Sequence, residues 1–334
     1  MFYIDTEEWL EARSHGIGGS EASIVMGINP WKSRLQLWNE KVTKTRQLDP
    51  DAQMSLKLGN YLEPLIAEEY SKITGRKLEI QPQKIHPRYP FILGNIDREI
   101  IKDPKGSGIL EIKTKGAWTD WHGDDIPPYY NAQLQQYLEI YGYKWGSFAV
   151  LDLGTLKISC IDIERDDNLI SNIIDEEKKF WKLVEDKIPP PVDASESCTK
   201  FLKEYYKESE DIVVDLIGNE DVSKWINILK SAKDIIKQHE AVELEAKNHL
   251  MSIMGNAQKA IGNGFSINWR SPKDKEVFNL ERFKIDHSDI YNKYMTKEPQ
   301  SRRFTVRFSD SDKENEKGKT KEKVQRKDVD KNKK

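Results

Sequence analysis

Apolar and charged residues alternate along residues 108–116, GILEIKTKG, with the two-residue period of a β-strand. Because side chains two positions apart leave a strand on the same face, Glu111 and Lys113 are predicted to project together. The preceding run FILGNIDREII, residues 91–101, also has the character of a strand, and the intervening KDPKGSG is rich in turn-forming residues. The pattern therefore predicts an antiparallel hairpin whose second strand carries two charges on one face.

The register of this hairpin predicts a cluster of charge. Its turn centres near Pro104, which is also midway between Asp97 and Glu111. Antiparallel pairing would set these two carboxylates opposite each other, with Cβ atoms about 5 Å apart, which is destabilising unless a positive charge lies between them. A hard divalent cation such as Mg²⁺ or Mn²⁺ would supply that charge, and Lys113 would orient or polarise a water. A solvated strand face with a weak Glu111–Lys113 ion pair is the alternative.

Residues 58–75, LGNYLEPLIAEEYSKITG, have apolar side chains at the spacing of an amphipathic helix. This helix carries Glu63. Taken by itself, the local pattern favours a solvated glutamate, since such helices carry surface glutamates routinely. A role for Glu63 in a site therefore depends on other features of the chain.

A second helix is predicted over residues 129–142, YYNAQLQQYLEIYG, directly after the Pro127-Pro128 breaker. Tyr130, Gln133 and Tyr137 are three and four positions apart, so they share one face of this helix. The face is polar and aromatic rather than aliphatic. By its residues alone it suits a core contact or a partner surface as well as a functional site.

Residues 15–23, HGIGGSEAS, combine a glycine-rich turn with a predicted helix start at Ser20. Ser20 is a natural N-cap, and the free N–H groups of a helix start attract phosphate. With Arg13 nearby, the segment predicts a phosphate pocket. The alternative is an ordinary glycine turn beside a surface arginine, and the spacing does not match a dinucleotide-binding fingerprint.

Net charge does not by itself indicate a DNA-binding protein. The overall charge is −3, and the tail from Ser309 holds ten Lys/Arg against seven Asp/Glu, which leaves 43 against 49 before it. The body is therefore acidic, whereas phosphate contacts need a basic surface. If the protein binds DNA, we expect a local basic groove that is offset by acidic outer faces.

The composition is that of an intracellular globular protein. The chain has 334 residues, of which 37% are hydrophobic, with nine tryptophans, so it is long enough for a full-sized core. Two cysteines, Cys160 and Cys198, cannot form a disulfide framework or hold an iron–sulfur cluster alone. There is no signal peptide or twenty-residue apolar stretch. These features predict a cytoplasmic protein that is not inserted in a membrane.

Proline and small polar residues divide the chain near VEDKIPPPVDASESC, residues 184–198. We predict a core domain over 1–190 and a linker over 191–220. A helix and short strands of unassigned role would follow over 221–308. The charged tail 309–334 has no aromatic residues and is predicted to be disordered.

Within the C-terminal segment, apolar residues at helical spacing over 222–255 predict one long amphipathic helix or a helical pair. A hairpin is predicted to turn at Asn263-Gly264, and RRFTVRF, residues 302–308, is predicted to be a further strand. A coiled-coil contact, a DNA clamp, a dock for a partner or a simple cover for the core would each fit these elements.

Asp97 followed by Glu111-x-Lys113 resembles the D…(D/E)xK signature of the restriction-endonuclease-like metal nucleases. Other stretches narrow the resemblance to the YqaJ-type viral recombinases, relatives of the phage lambda exonuclease, over roughly residues 7–165. These are WLEARSHGIGGSEASIVMGINPWKS (9–33), the helix with Glu63, and the Y-x-x-Q-x-x-x-Y segment of Tyr130, Gln133 and Tyr137. The order of these motifs is more specific than any one of them.

The resemblance implies an α/β restriction-endonuclease-like core, a central mixed sheet flanked by helices, with a C-terminal helix and hairpin extension. It implies Mg²⁺, replaceable by Mn²⁺, held by Asp97, Glu111, Glu63 and the carbonyl of Ile112. Lys113, Glu111, Asp97 and Gln133 would form the catalytic group. Arg13, Ser20, Tyr130 and Tyr137 would contact DNA or its phosphates.

The implied activity is a 5′ to 3′ exonuclease of the alkaline type, which acts on ends of linear duplex DNA and leaves 3′ overhangs for recombination. The implied partners are duplex ends, a single-strand annealing protein and further copies in a trimeric ring, in a bacterial cytoplasm under phage or prophage control. Two alternatives stay open. One is an endonuclease or single-strand nuclease with the same site, and the other is a DNA-binding or assembly module with a vestigial site.

Overall fold

The computed structural model describes residues 13–45, 50–116, 121, 125–273, 275–296 and 302–308, with backbone alone at 50–52. The chain divides into two compact units, Met1–Tyr206 and Lys207–Lys334. The predicted disordered tail, 309–334, lies outside the described residues.

The strands, in chain order, are β1 (Ile17–Gly18), β2 (Lys77–Glu79), β3 (Lys84–Ile85), β4 (Ile92–Gly94), β5 (Arg98–Ile101), β6 (Gly108–Lys115), β7 (Trp145–Asp152), β8 (Lys157–Glu164), β9 (Lys259–Gly262) and β10 (Phe265–Asn268). The described helices are α1 (Gly19–Val25), α2 (Arg34–Thr43), α3 (Pro50–Thr74), α4 (Pro128–Tyr141), α5 (Asp167–Glu185), α6 (Glu196–Tyr205), α7 (Glu220–Met254), α8 (Leu280–Asp286) and α9 (Ser288–Tyr294).

The first unit is built on a five-stranded sheet in the order β2-β5-β6-β7-β8. Strands β6 and β7 are parallel and the other neighbouring pairs are antiparallel. The mixed sheet is therefore confirmed. The predicted hairpin is also confirmed, because β5 pairs with β6 with Arg98 opposite Leu110. Continuing that register by one residue sets Asp97 opposite Glu111.

The prediction of one strand over residues 91–101 is wrong. Ile92–Gly94 form β4, which belongs to a separate small sheet between β1 and β3. Both hydrogen-bonding edges of β4 are occupied there, so the chain changes sheets before β5 begins at Arg98. Asp97 consequently lies at the junction of two sheets rather than inside a continuous strand.

Helices cover both faces of the central sheet. Ile109 of β6 packs in a cluster with Leu134 of α4 and Ile170 of α5. The next residue, Leu110, points the other way and packs with Ile66 of α3. Because side chains alternate along a strand, Glu111 and Lys113 share the α4 face with Ile109. This layered α/β arrangement confirms the predicted fold class.

The second unit contains a helix and a hairpin, as predicted. Helix α7 is one continuous helix of 35 residues, and the side chain of Asn219 caps it by accepting the N–H of Val222 at 3.0 Å. β9 and β10 pair around a turn in which Gly264 has φ +83°. The strand predicted at 302–308 is wrong, since these residues pair with no strand in the described chain. An alternating pattern does not form a strand without a paired neighbour.

Helix α7 is charged along its length. Across the described ranges, no helix is both long and apolar enough to cross a membrane.

Candidate active site

Three polar side chains form a closed triangle between β6 and α4. Lys113 Nζ lies 2.8 Å from Glu111 Oε1, and Gln133 Nε2 donates to the same Oε1 at 2.6 Å. Gln133 Oε1 in turn accepts from Lys113 Nζ at 3.1 Å. The amide of Gln133 therefore fixes the relative orientation of the two charged groups. Gln133 follows Lys113 by 20 positions in the sequence, and the fold brings the two side chains together.

Glu111 is only 2% exposed, and its second oxygen, Oε2, is buried without a hydrogen-bond partner among the residues that the structure describes. An unpartnered buried carboxylate oxygen is costly, because it has lost water and gained nothing in exchange. Such an atom in a native site calls for a physical explanation, and a bound ion is one.

Asp97 lies beside this triangle and is held by the neighbouring strand. Its Oδ2 accepts a hydrogen bond from the main-chain N–H of Ile112 at 2.7 Å. Ile112 is thus attached to the site through its backbone, while its side chain packs in the apolar cluster on the opposite face of the sheet. The hairpin register and this hydrogen bond together set the position of the Asp97 carboxylate.

Burial and like charge shift the proton equilibria of the acidic groups. Burial raises the pKa of Asp97 well above its usual value, and the charges of Glu111 and Glu63 raise it further. Burial likewise raises the pKa of Glu111, against the opposing effect of Lys113. For Lys113, burial lowers the pKa, but Glu111 and Asp97 outweigh it and the net shift is upward. One lysine thus only partly neutralises the carboxylates, so the site favours additional positive charge.

Glu63 lies on α3 within electrostatic reach of Asp97 and Glu111. Its carboxylate is paired with Arg98, whose guanidinium lies 2.6 Å away, and 31% of its side chain is exposed. Arg98 also donates to the main-chain oxygen of Asp97. Glu63 is therefore neither simply solvated nor in contact with the other carboxylates. A role as a metal ligand would require it to exchange Arg98 for the ion.

The donors present suit a hard divalent cation. In the described part of the chain, no three acidic, histidine or cysteine side chains stand close enough to hold a metal by themselves. Mg²⁺, however, is commonly held by one or two carboxylates, with water and substrate phosphate completing its shell. Asp97 and Glu111 supply two carboxylates, and the unpartnered Oε2 atom of Glu111 fits such an ion. The residues present therefore fit Mg²⁺ or Mn²⁺.

Helix α1 begins two residues earlier than predicted, since an N-cap at Ser20 would have made Glu21 the first helical residue. Its first residue is Gly19 and its N-cap is Gly18, so the assignment of Ser20 as N-cap is wrong. Glu21 explains the difference, because its Oε2 accepts the N–H of Gly18 at 2.9 Å and closes the helix start. The hydroxyl of Ser20 instead accepts from Arg13 at 3.1 Å. Arg13 and Ser20 are thus adjacent, as the sequence predicted, but through a side-chain contact.

Glu21 anchors this region through a network of ions. Its carboxylate lies 2.7 Å from Lys41 Nζ and 3.2 Å from Arg13. Burial opposes its ionisation, but Lys41 and Arg13 more than compensate and hold the pKa of Glu21 at about 2. Lys41 also donates to the main-chain oxygen of Arg13 at 2.7 Å. The backbone at Arg13 is therefore tied to helices α1 and α2.

Tyr137 joins the two halves of the site. Its hydroxyl accepts from Gln133 Nε2 at 3.3 Å, and its ring lies directly against Gly19. A Cβ atom at Gly19 would be 2.3 Å from the ring of Tyr137, so only glycine fits there. Burial raises the pKa of Tyr137 well above its usual value, and Glu111 raises it further. This hydroxyl therefore remains protonated and is available as a hydrogen-bond donor.

Tyr130 closes the other side of the triangle. Lys113 Nζ lies 4.7 Å from the centre of its ring, a cation–π contact. The structure thus brings Asp97, Glu111, Lys113, Gln133, Tyr130 and Tyr137 into one group, with Ile112 attached through its backbone. Glu63 is paired with Arg98, and Arg13 contacts Ser20, which directly follows Gly19 in the chain.

Several residues of this neighbourhood have no clear signal in the sequence. Lys41 lies 20 positions from Glu21, and their contact depends on how α1 and α2 pack. Arg98 follows Asp97 directly, yet its contact with Glu63 spans 35 positions. Trp31 packs against Tyr129 with ring centres 5.0 Å apart. An adjacent pair of tyrosines after a proline breaker was the one available hint of an aromatic cluster.

Comparison of the sequence with those of known proteins identifies a family. The YqaJ-like viral recombinase domain matches residues 8–144. The chain is 32% identical over 316 residues to the protein YqaJ of Bacillus subtilis (strain 168), a match that spans 91% of this chain and 95% of that relative.

Solved structures with a partial likeness include the alkaline exonuclease LHK-Exo from Laribacter hongkongensis. That structure is 25% identical, covers 60% of this chain and 97% of its own, and has a TM-score of 0.46. Its complex with dAMP has a TM-score of 0.47 at 24% identity, covering the same shares. A phage related exonuclease from Haemophilus somnus 129PT is 15% identical, covers 52% of this chain and 96% of its own, and has a TM-score of 0.38. The match to YqaJ over nearly the full length of both chains agrees with the motif order, and the chain belongs to the YqaJ-like viral recombinase family.

Proposed function

We propose that this protein is a metal-dependent deoxyribonuclease that hydrolyses linear duplex DNA from its ends, in the 5′ to 3′ direction. The observation that carries the proposal is the buried, unpartnered Oε2 of Glu111, next to a second carboxylate and an ordered lysine. Carboxylates that share a site with one lysine are the donor set of a hydrolytic Mg²⁺ centre. An ion pair on a solvated strand face would not leave a carboxylate oxygen buried and without a partner.

Each residue of the site has a distinct proposed task. Asp97 and Glu111 would hold the ion, together with the carbonyl of Ile112, and Glu63 would be a further ligand if it exchanged Arg98 for the ion. When bound, Mg²⁺ or Mn²⁺ would lower the pKa of a water and stabilise negative charge on the phosphate that is cleaved.

Lys113 positions the attacking water. Its pKa is raised by Glu111 and Asp97 against the effect of burial, so it stays a cation and a hydrogen-bond donor. Gln133 keeps Lys113 Nζ and Glu111 Oε1 at fixed distances, as the triangle of hydrogen bonds requires. The ammonium group of Lys113 is thus held beside the carboxylates rather than sampling several rotamers.

Arg13 and Ser20 are proposed to bind the terminal 5′-phosphate, with Tyr130 and Tyr137 contacting the strand that is cut. Charge-assisted hydrogen bonds from a guanidinium to phosphate are short and strong. Arg13 and Lys41 share Glu21, which holds the guanidinium in place. A 5′-phosphate bound at Arg13 and Ser20 would select the end at which digestion begins.

In the wider reaction, the product would be a 3′ overhang for a single-strand annealing protein, within phage or prophage recombination in a bacterial cytoplasm. A ring of three copies around the duplex would keep the enzyme on its substrate. These partners follow from the family resemblance.

The proposal is tested by time-resolved digestion of linear duplex DNA labelled at either the 5′ or the 3′ end, with and without Mg²⁺. We expect early release of the 5′ label, only when Mg²⁺ is present, and no cutting of a covalently closed circle. Cutting of the circle would identify an endonuclease instead. The absence of Mg²⁺-dependent digestion by protein that binds the same DNA would identify a binding module.

A further inference from the structure

A rigid turn between α1 and α2 presents Trp31 to solvent. Asn29 Oδ1 accepts the N–H groups of Trp31 and Lys32, each at 2.9 Å. Asn29 Nδ2 donates to Ser23 Oγ of α1, also at 2.9 Å. At the other end of the turn, Ser33 caps α2. Both ends of the turn are therefore fixed, yet 62% of Trp31 is exposed.

The indole of Trp31 is connected to the candidate active site through tyrosine rings. Its centre is 5.0 Å from that of Tyr129 in an edge arrangement, and 6.4 Å from that of Tyr130. Tyr129 and Tyr130 are themselves in edge contact at 4.5 Å. Tyr130 in turn carries Lys113 Nζ at 4.7 Å from its ring centre. A continuous aromatic path thus runs from the lysine of the site to an exposed tryptophan.

This arrangement suits a ligand that is charged at one end and flat and aromatic at the other. A nucleotide has this form, with its phosphate separated from its base by a sugar. Every base offers a π face, so stacking on an aromatic side chain binds a strand without regard to sequence. An enzyme that removes successive nucleotides needs such a contact, because hydrogen bonds to base edges would favour particular sequences.

We propose that Trp31, supported at its edge by Tyr129, stacks on the base of the terminal nucleotide in the strand being digested. The inference rests on the proposed nuclease function and adds a base-binding subsite to it. The phosphate that is cleaved would lie at the Asp97–Glu111 group, and the base of the terminal nucleotide would leave the duplex stack to lie on the indole. Tyr130, between the two, would contact the sugar or the base edge.

The test uses a DNA hairpin with one open end and phosphorothioate terminal linkages that resist cleavage, in Mg²⁺. The nucleotide at the open 5′ or 3′ end is either normal or abasic, and dissociation constants are compared. With the native protein, loss of the base in the digested strand should weaken binding about tenfold. Trp31→Ala should bind both substrates at the weaker level, and Trp31→Phe should restore most of the preference.

Trp225 provides the matched control, since it is 61% exposed and lies in the second unit. Trp225→Ala should retain the full preference for the intact base. A terminal 2-aminopurine should also lose fluorescence on binding the native protein and Trp225→Ala, but not on binding Trp31→Ala. This optical signal reports stacking directly and does not depend on digestion.

An equal loss of affinity by Trp31→Ala for normal and abasic ends, or no loss for either, would overturn the stacking role. A changed oligomeric mass for Trp31→Ala, with the base preference intact, would instead make Trp31 a contact between copies and would also overturn it. In both cases Mg²⁺-dependent digestion by the native protein would leave the proposed nuclease function standing. A native protein that neither digests DNA nor binds its ends would overturn both.

Discussion

The carboxylate of Asp97 is tied to the backbone of the neighbouring strand, where its Oδ2 accepts the N–H of Ile112 at 2.7 Å. This bond fixes the orientation of the Asp97 carboxylate, which lies within electrostatic reach of Glu111. The proposed function gives this group of residues two tasks that a substitution can distinguish. One is holding the ion, and the other is placing the water.

Asp97→Asn should bind Mn²⁺ more weakly than the native protein. The amide oxygen can still accept the N–H of Ile112, so the fold is kept while the ligand charge is lost. We expect the affinity for Mn²⁺ to fall by more than the roughly tenfold loss that is typical when a residue supporting a metal ligand is removed. Isothermal calorimetry with Mn²⁺ measures this, and unchanged affinity would remove Asp97 from the ligand set.

Lys113→Ala is the counterpart and should keep Mn²⁺ affinity at or above the native level, because it removes a competing cation from Glu111. Digestion should slow by about 100-fold or more, the range expected when a group that handles the attacking water is lost. Gel-based digestion at saturating Mg²⁺ measures the rate. A variant that loses metal binding and cleavage together would argue against a role confined to the water.

Gly19→Ala should destabilise the protein and disturb the site together. Its Cβ would lie 2.3 Å from the ring of Tyr137, and the hydroxyl of that ring is bonded to Gln133. Overpacking of this kind costs about 1 to 3 kcal/mol. The matched control is Gly59→Ala on α3, where no atom lies within 4 Å of the new methyl group. Urea denaturation should show a loss for the first variant and none for the second.

Glu177 should make stability fall as pH rises. It lies on α5 and is 0% exposed, and within the described part of the chain neither of its oxygens has a hydrogen-bond partner. Burial raises its pKa well above the usual 4.5, and the charge of Glu21 raises it further. When the pKa of an acid is higher in the folded state than in the unfolded chain, its contribution to stability is complete below the unfolded-state pKa. The contribution is then lost as the pH rises through the folded-state pKa.

Glu177→Gln mimics the protonated carboxyl and cannot ionise. Its melting temperature should match that of the native protein at acidic pH and exceed it increasingly from about pH 4.5 upward. Thermal melts across a pH series measure the difference. A pH-independent difference between the two proteins would mean that Glu177 does not titrate with folding.

Arg13→Ala should show whether the enzyme binds the 5′-phosphate at the end of the digested strand. A hydrogen bond to a charged group contributes about 1.5 to 3 kcal/mol, so digestion of 5′-phosphorylated ends should slow by roughly ten- to a hundredfold. Ends with a 5′-hydroxyl should be much less affected. Both substrates are compared at fixed salt and saturating Mg²⁺. If digestion of both kinds of end slows equally, or digestion of neither slows, the glycine-rich turn has a structural role and does not bind the 5′-phosphate.

The sequence by itself determined the relationships within single elements and tight turns. The two-residue period of β6 set Glu111 and Lys113 on one face, and the short turn near Pro104 fixed the register that brings Asp97 opposite Glu111. Both relationships join residues within one strand or one hairpin, so the local spacing of the sequence determines them. The helical period likewise placed Gln133 and Tyr137 together on α4.

Only the tertiary structure decided which elements face each other. The helix start at Gly19 depends on the carboxylate of Glu21, and the break before Asp97 depends on β1 and β3 occupying both edges of β4. The contact of Gln133 with Glu111 and the pairing of Glu63 with Arg98 follow from helices docking on the sheet. Such contacts span tens of residues and are fixed by packing of the whole core, which local periodicity does not encode.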